Sequence, residues 1–234
     1  MIQTQPYVEF AKTILKVEFN DINLLITAFT HRSYVNEHKK TAKEHNERLE
    51  FLGDAVLEII TTRFLYDNFD DPEGTLTNWR SSLVRTESIG EAASKMDFEP
   101  LLRLSRGEKR GTSERARVQI LANAYEAVVG ALYLDQGYDA AKEFIERSLL
   151  TTFDDILETG SWQDPKSSYQ EVVQSDENFT PHYRVLSEEG PDHDKVFTVG
   201  VFVNDELRAK GEGPSKQNAQ VAAAHIALKN HKKA

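Results

Sequence analysis

The chain has 234 residues, of which 39% are hydrophobic and 28% are charged, and its formal net charge is −10 at pH 7. Such a composition is typical of a soluble globular protein with one large domain, or with a medium domain and a small one. It contains no apolar run long enough to span a membrane, and its zero cysteines exclude disulfides and thiolate metal sites. The first residues lack the basic segment and apolar core of a signal peptide, so we expect a cytoplasmic protein in a reducing compartment.

Helical periodicity dominates the first two thirds of the chain, from Tyr7 to about Leu157. The pattern predicts long helices at about 46–67, 76–84, 87–95, 118–134 and 139–157. A turn is predicted at 70–74, a basic loop at 106–117, and Gly137 is expected to cap the helix before it.

The pattern changes near Glu158, where a polar, glycine-containing stretch is typical of a linker. A short helix then precedes three predicted strands, at 182–186, 196–203 and 207–213, with a turn at Asn204-Asp205. Ser215 is expected to cap a final helix. The sequence therefore predicts an all-α domain at 1–157, a linker at 158–163, and a small α+β domain of order α-β-β-β-α at 164–234.

The helix at about 46–67 carries a stripe of acids at steps of three, four and four, namely Glu47, Glu50, Asp54 and Glu58. Each like-charge neighbour at this spacing destabilises a helix by roughly 0.2–0.5 kcal/mol. A hard divalent cation such as Mg²⁺ would offset that repulsion, because it prefers carboxylate oxygens. The alternative interpretation is a solvated acidic face.

Two residues of this helix break the pattern of a simple acidic face. Phe51 lies within the acidic stripe and not on the apolar face. Gly53 lies in the middle of the helix, where glycine costs roughly 0.5–1 kcal/mol relative to alanine. We therefore expect another part of the chain to approach closely at Gly53.

A second pair of polar residues, Asn123 and Glu126, is three residues apart and therefore shares one face of the later apolar helix. If that face meets the face of Glu50 and Asp54, three carboxylates and an amide oxygen converge on one cavity. Metal ions held there would lower the pKa of a bound water and so activate it. The seven histidines show no metal-ligand spacing, and His31 is expected to be structural.

The segment from Arg106 to Arg117 contains five basic residues and only two acids, which makes it a local basic patch in an acidic protein. A negative net charge argues against nucleic-acid binding when taken alone, but it does not locate the charge. The patch is either a polyanion contact or an ordinary solvated loop.

The motif Glu47-Arg48-Leu49-Glu50-Phe51-Leu52-Gly53-Asp54 closely resembles the signature of the bacterial ribonuclease III family. Supporting resemblances follow in chain order at 30–33, 73–74, 83–85, 120–127 and 130–135. The C-terminal α-β-β-β-α pattern resembles a double-stranded RNA-binding domain. Together these resemblances cover almost the whole chain.

The resemblance implies a Mg²⁺-dependent endonuclease, with Mn²⁺ able to substitute, that hydrolyses both strands of double-stranded RNA. The expected products carry a 5′-phosphate, a 3′-hydroxyl and short 3′ overhangs. It also implies a homodimer without an organic cofactor, and a role in rRNA and mRNA processing.

Individual positions take their expected roles from the same resemblance. Metal ligands are implied at Glu50, Asp54, Asn123 and Glu126, with Asp54 and Glu126 as the catalytic residues. Acids of the RNA-binding valley are implied at Glu47 and Glu73, and a contact with the partner subunit at Phe51. Asn123 departs from the family, which usually has an acid there. Because an amide oxygen carries no formal charge, we expect weaker metal affinity at that position.

In the small domain the resemblance implies RNA contacts at Gln170, at His193 in the loop 190–195, and at Lys216. Double-stranded RNA is bound through its shape, 2′-hydroxyls and phosphates. The chain has Gln217 and Gln220 where lysines are expected, so we predict weaker binding with a shallower salt dependence.

Two other hypotheses remain open. One is a non-catalytic RNA-binding or ribosome-associated protein with the same fold, which predicts loss of the metal-binding acids. The other is an acidic, metal-binding helical protein without an RNA role, which leaves the C-terminal module unexplained.

Overall fold

The computed structural model describes residues 4–159, 162, 164–191 and 195–231. The chain forms two compact units, Met1–Thr159 and Gly160–Ala234. The described part of the first unit contains helices and no strand of a sheet, whereas the second combines helices with a three-stranded sheet. The predicted fold class, an all-α domain followed by a small α+β domain, is confirmed.

The first unit is built from short helices around two long ones. Its α-helices are α1 (Gln5–Phe10), α2 (Ile22–Ala28), α3 (Arg32–Glu37), α4 (Glu47–Asn68), α5 (Glu73–Leu83), α6 (Thr86–Lys95), α7 (Arg106–Gly111), α8 (Glu114–Gln136), α9 (Tyr138–Ser148) and α10 (Phe153–Thr159). None of the helices in the described ranges has both the length and the hydropathy needed to cross a membrane.

The core of this unit is centred on α8, which packs against α2, α4, α6 and α9. Every residue from Ala127 to Leu132 is buried, so this part of α8 is enclosed on all sides. The predicted helix end is also confirmed, since Gly137 has a positive φ of 88° and its N–H bonds to the carbonyl of Tyr133. Burial of each large apolar side chain contributes roughly 1.5–3 kcal/mol, which makes α8 the main organiser of the unit.

Two glycines allow α4 and α8 to cross with their backbones in contact. A Cβ on Gly53 would overlap the carbonyl oxygen of Glu126, and a Cβ on Gly130 would overlap the carbonyl oxygen of Leu49. The expectation of a close approach at Gly53 is therefore confirmed. This crossing fixes how the polar side chains of the two helices face each other.

The basic segment differs from its prediction as a loop, because Arg106–Gly111 forms the short helix α7. The oxygen of Ser105 accepts a hydrogen bond from the Glu108 amide at 3.2 Å, which satisfies one of the free donors at the start of the helix. Ser105 and Glu108 have the spacing of a capping box, a signal that an analysis of charge alone overlooks.

The predicted helix 139–157 is also wrong as a single element. α9 ends at Ser148, a 3₁₀ turn covers Leu150–Thr152, and α10 begins at Phe153. The Thr152 hydroxyl donates to the Leu149 carbonyl at 2.7 Å, a local bond that competes with regular helix geometry.

The second unit contains α11 (Pro165–Glu177), β1 (His182–Glu189), β2 (Val196–Val203), β3 (Glu206–Gly213) and α12 (Lys216–His231). The strands form an antiparallel sheet in the order β1-β2-β3, and its core includes Tyr169, Val173, Val201, Val203, Ala223 and Ala227. Asn204 and Asp205 both have positive φ, 49° and 61°, as a two-residue hairpin turn of type I′ requires. Ser215 accepts a hydrogen bond from the Asn218 amide at 3.1 Å, which confirms the predicted helix cap.

Candidate active site

The candidate site lies where α4 crosses α8. Glu50 and Asp54 are on α4, on either side of Gly53, and Glu126 is the α8 residue whose carbonyl Gly53 contacts. Because the backbones touch at this point, the side chains that flank it are held close together. The face of Glu50 and Asp54 on α4 meets the face of Asn123 and Glu126 on α8, which was the condition for a shared site.

The electrostatics of these carboxyl groups reflect both their burial and their proximity. Burial, together with the charges of Asp54 and Glu50, raises the pKa of Glu126 to about 8. The pKa of Glu50 is also raised, by burial first and then by Glu47 and Asp54, against a hydrogen bond from Asn123. The charge of Asp54 thus makes both Glu50 and Glu126 harder to ionise, as like charges in a shared site do.

Arginine side chains neutralise the acids at the two ends of the acidic stripe of α4 but not those in its middle. Glu47 pairs with Arg32 at 2.6 Å, and Glu58 pairs with Arg80 at 3.0 Å. In the described ranges no basic side chain forms an ion pair with Glu50. Within these ranges Asp54 and Glu126 also form no ion pair with a basic side chain. The repulsion noted from the sequence therefore persists only at the helix crossing.

Asn123 joins this cluster through hydrogen bonds. Its side chain bonds to the carboxylate of Glu50, and its Oδ1 accepts from the Nε2 of Gln119 at 2.7 Å. Sequence reasoning missed Gln119, although its position four residues before Asn123 on the same helix was the available signal. In this arrangement Gln119 orients the amide whose oxygen was expected to bind metal.

Binding of one cation by all four groups remains a prediction. No group of three or more histidine, aspartate or glutamate side chains in the described part of the chain is arranged to hold an ion. The carboxylates at the crossing repel one another, and a bound cation would offset that repulsion. The donor chemistry nevertheless fits Mg²⁺, which takes carboxylate and amide oxygens and keeps several waters.

The remaining residues singled out in the first unit lie at separate places. Glu73 is exposed in the first turn of α5, where it accepts a hydrogen bond from Thr77 at 3.1 Å. Phe51 is 81% exposed on α4. His31 caps α3 by accepting from the Ser33 amide at 3.2 Å, which is a structural role as expected.

In the second unit, two of the three residues expected to contact RNA are described. Gln170 is exposed on α11. Lys216 is the first residue of α12, and its Nζ lies 3.0 Å from the Oε1 of Glu188 on β1. His193 falls outside the described residues. Sequence reasoning missed Glu188, because only the hydrogen-bonded register of the sheet brings it to Lys216.

The chain thus combines an all-helical unit, in which acids meet at a helix crossing, with an α-β-β-β-α module, the architecture expected of a nuclease that binds RNA. Residues 21–153 match the Ribonuclease-III-like family, and residues 165–231 match the double-stranded RNA binding motif. The chain belongs to the ribonuclease III family, and it is an endoribonuclease of the ribonuclease III type.

The relatives of the chain agree with this assignment over nearly its whole length. It is 44% identical to a Ribonuclease 3 of Enterococcus faecalis over 218 residues, which cover 92% of this chain and 93% of that protein. It is 45% identical to a Ribonuclease 3 of Carboxydothermus hydrogenoformans over 221 residues, with 92% of each covered. A crystal structure of the Campylobacter jejuni ribonuclease III nuclease domain matches with 36% identity and a TM-score of 0.55, over 62% of this chain and 95% of that one.

Proposed function

We propose that this endoribonuclease is a homodimer that uses Mg²⁺ to hydrolyse both strands of double-stranded RNA. Its products would carry a 5′-phosphate and a 3′-hydroxyl, with short 3′ overhangs. One observation carries the proposal: the three carboxylates of Glu50, Asp54 and Glu126 meet at the helix crossing, and no basic side chain in the described ranges pairs with them. Such a concentration of negative charge supports cation binding next to an RNA phosphate.

Glu50, Asp54 and Glu126 would hold the cation with their carboxylate oxygens, and Asn123 would add its amide oxygen. When bound, divalent metal supplies a water of lowered pKa and stabilises the charge that develops on the phosphoryl oxygens. Asp54 and Glu126 are the proposed catalytic residues, since Asp54 is exposed and burial raises the pKa of Glu126 to about 8, close to neutral pH. Gln119 would position the amide of Asn123.

The surrounding acids have supporting roles in this proposal. Glu47 and Glu73 would line the valley that receives the duplex, and Arg32 would keep the carboxylate of Glu47 in place. The nuclease domain is proposed at 1–157, joined by a linker at 158–163 to the RNA-binding domain at 164–234. In that domain Gln170, His193 and Lys216 would contact the minor groove and phosphates.

The proposed homodimer rests on an exposed apolar side of α4. Phe51, Ile59 and Tyr66 are 81%, 56% and 73% exposed and lie on one side of the helix. Large apolar side chains grouped on a surface mark interaction sites. A second Campylobacter jejuni nuclease-domain structure, 36% identical to this chain with a TM-score of 0.53, is described as having structural flexibility in a region involved in dimer formation.

The cellular role proposed from the family is processing of rRNA and mRNA in the cytoplasm. The absence of cysteine is compatible with a reducing compartment. The relatives named above carry the name Ribonuclease 3, which supports a general RNA-processing role.

Incubation of end-labelled duplex RNA with the purified protein, with and without Mg²⁺, tests the proposal on a sequencing gel. We expect metal-dependent cuts on both strands, staggered to leave 3′ overhangs. Retention of intact duplex without cutting at high Mg²⁺ or Mn²⁺ would instead support the non-catalytic RNA-binding hypothesis. Failure to retain duplex at all would support the acidic helical protein without an RNA role.

A further inference from the structure

The carboxylate of Glu188, near the end of β1, lies between two lysines. Its Oε1 is 3.0 Å from the Nζ of Lys216, and its Oε2 is 3.7 Å from the Nζ of Lys195. Lys216 begins α12, and Lys195 lies directly before β2. The hydrogen bond from Lys216, with the charges of both lysines, lowers the pKa of Glu188 below its ordinary value. One carboxylate thus engages lysines from two segments where the RNA-binding domain is expected to contact RNA, the loop 190–195 and the start of α12.

The register of the sheet explains this arrangement. Glu188 pairs with Phe197 of β2, and Phe197 pairs with Gly213 of β3, so the three residues form one row across the sheet. Directly opposed residues point to the same face. The chain leaves this row at Gly213 and enters α12, where the Nζ of Lys216 lies 5.6 Å from the centre of the Phe197 ring. Lys216 is therefore held above Phe197 and directed at Glu188.

The geometry points to Glu188 as an intramolecular substitute for an RNA phosphate, which must be displaced from Lys216 before the duplex binds. The RNA-binding domain would therefore bind duplex RNA more weakly with Glu188 than its lysines alone would allow. This inference rests on the proposed binding of double-stranded RNA and adds a residue that tunes it. The effect matters here because Gln217 and Gln220 stand where further lysines are expected, so Lys216 carries a large share of the phosphate contact.

Displacement of Glu188 has a distinct salt signature. A lysine that neutralises an RNA phosphate releases condensed counterions, which makes binding weaken as salt rises. When Lys216 leaves Glu188 for a phosphate, the freed carboxylate takes up a cation and cancels part of that release. Removal of the charge at Glu188 should therefore tighten binding and also steepen its salt dependence.

Glu189 provides a matched control one residue further along β1. It is exposed, and in the described ranges it forms no ion pair, whereas its neighbour Glu188 forms two. Successive residues of a strand point to opposite faces, so its side chain is directed away from Lys216. Glu189→Gln removes the same charge from nearly the same place without freeing the lysine.

The experiment measures binding of the full chain to a duplex of at least about 16 base pairs, in the absence of divalent cations, over a series of salt concentrations. The variants are Glu188→Gln, Lys216→Gln, the double variant and Glu189→Gln, each checked for unchanged circular dichroism. We expect Glu188→Gln to bind about two- to fivefold more tightly at low salt, the range of an exposed ion pair. The slope of log K against log salt should steepen by up to about one unit.

The double variant decides whether Glu188 acts through Lys216. We expect the gain from Glu188→Gln to disappear when Lys216 is already glutamine, because coupled residues are not additive. An equal gain in Glu189→Gln would mean a general charge effect and would overturn the inference, as would a gain that survives in the double variant. If the wild-type chain binds no duplex at any salt concentration, the proposed function fails and this inference fails with it.

Discussion

The backbone of Gly53 packs directly on the carbonyl of Glu126, so closely that a Cβ at position 53 would overlap that oxygen. The candidate site is therefore held by two helices whose backbones are in contact, and not by flexible loops. Asp54 follows Gly53 in the chain, and the side chain of Glu126 starts from the residue that Gly53 touches. Helix packing and site geometry are therefore determined by the same contact.

Replacement of Gly53 by alanine should separate α4 from α8. We expect destabilisation of about 1–3 kcal/mol, typical of overpacking, together with a loss of cleavage larger than the loss of folded protein. Gly74→Ala is the control, because it is also helical but its added Cβ meets nothing within 4 Å. Urea unfolding followed by circular dichroism measures both, and equal stability of the two variants would contradict the prediction.

Glu126→Ala and Asp54→Ala should abolish cleavage without preventing RNA binding. Each removes a carboxylate from the proposed metal site, and we expect rate losses of at least about 10²–10³-fold. Glu143→Ala, at an exposed acid of α9, is the control with unchanged activity. Single-turnover cleavage and retention of duplex RNA are measured on the same preparations. Cutting at near wild-type rate by either variant would show that the site is misplaced.

Stability of the metal-free protein should fall as the pH rises from about 4.5 to 8. The ordinary pKa of Glu126 is 4.5, and in the folded chain it is raised to about 8. Below pH 4.5 the group is protonated in both states, whereas between the two values only the folded state keeps the proton, so this stabilising contribution is lost progressively. Thermal unfolding in a chelator should show the trend, and Glu126→Gln should flatten it. A variant with the same pH trend as the wild type would exclude this residue as its cause.

Asn123→Asp should lower the Mg²⁺ concentration needed for half-maximal cleavage several-fold. It replaces an uncharged amide oxygen with a carboxylate, and the number of charged ligands tunes the affinity of such sites. It also removes the donor that bonds to Glu50. A Mg²⁺ titration of initial cleavage rates measures the effect, and superimposable titration curves would refute the prediction.

Phe51→Ala should weaken self-association, because the side chain is 81% exposed in the single chain and would be buried against a partner subunit. Loss of one buried phenylalanine costs about 1.5–3 kcal/mol, which corresponds to at least about a tenfold rise in the dimer dissociation constant. Phe179→Ala, also at an exposed phenylalanine, is the control. Sedimentation velocity over a concentration series distinguishes the two variants. Identical profiles would remove Phe51 from the interface.

Much of the architecture could be predicted from local signals. Helical periodicity and turn chemistry indicated α4, α8 and the three strands, because their apolar faces and caps are encoded in neighbouring residues. Gly137 and Ser215 were correctly predicted as caps for the same reason. The helix α7 and the break after Ser148 were missed, since each involves a local side-chain bond to the backbone, from Ser105 and from Thr152, that periodicity does not represent.

The acidic stripe of α4, the shared face of Asn123 and Glu126 and the close contact at Gly53 could all be inferred from residue spacing. Helix geometry fixes the spacing of side chains within one element. Which of these acids form ion pairs depends on the packing of separate helices, since Arg80 reaches Glu58 from α5. The pairing of Glu188 with Lys216 likewise depends on folding, because the two residues are 28 positions apart and meet through the register of the sheet. Interactions between elements depend on packing and register, which the spacing of residues within one element does not specify.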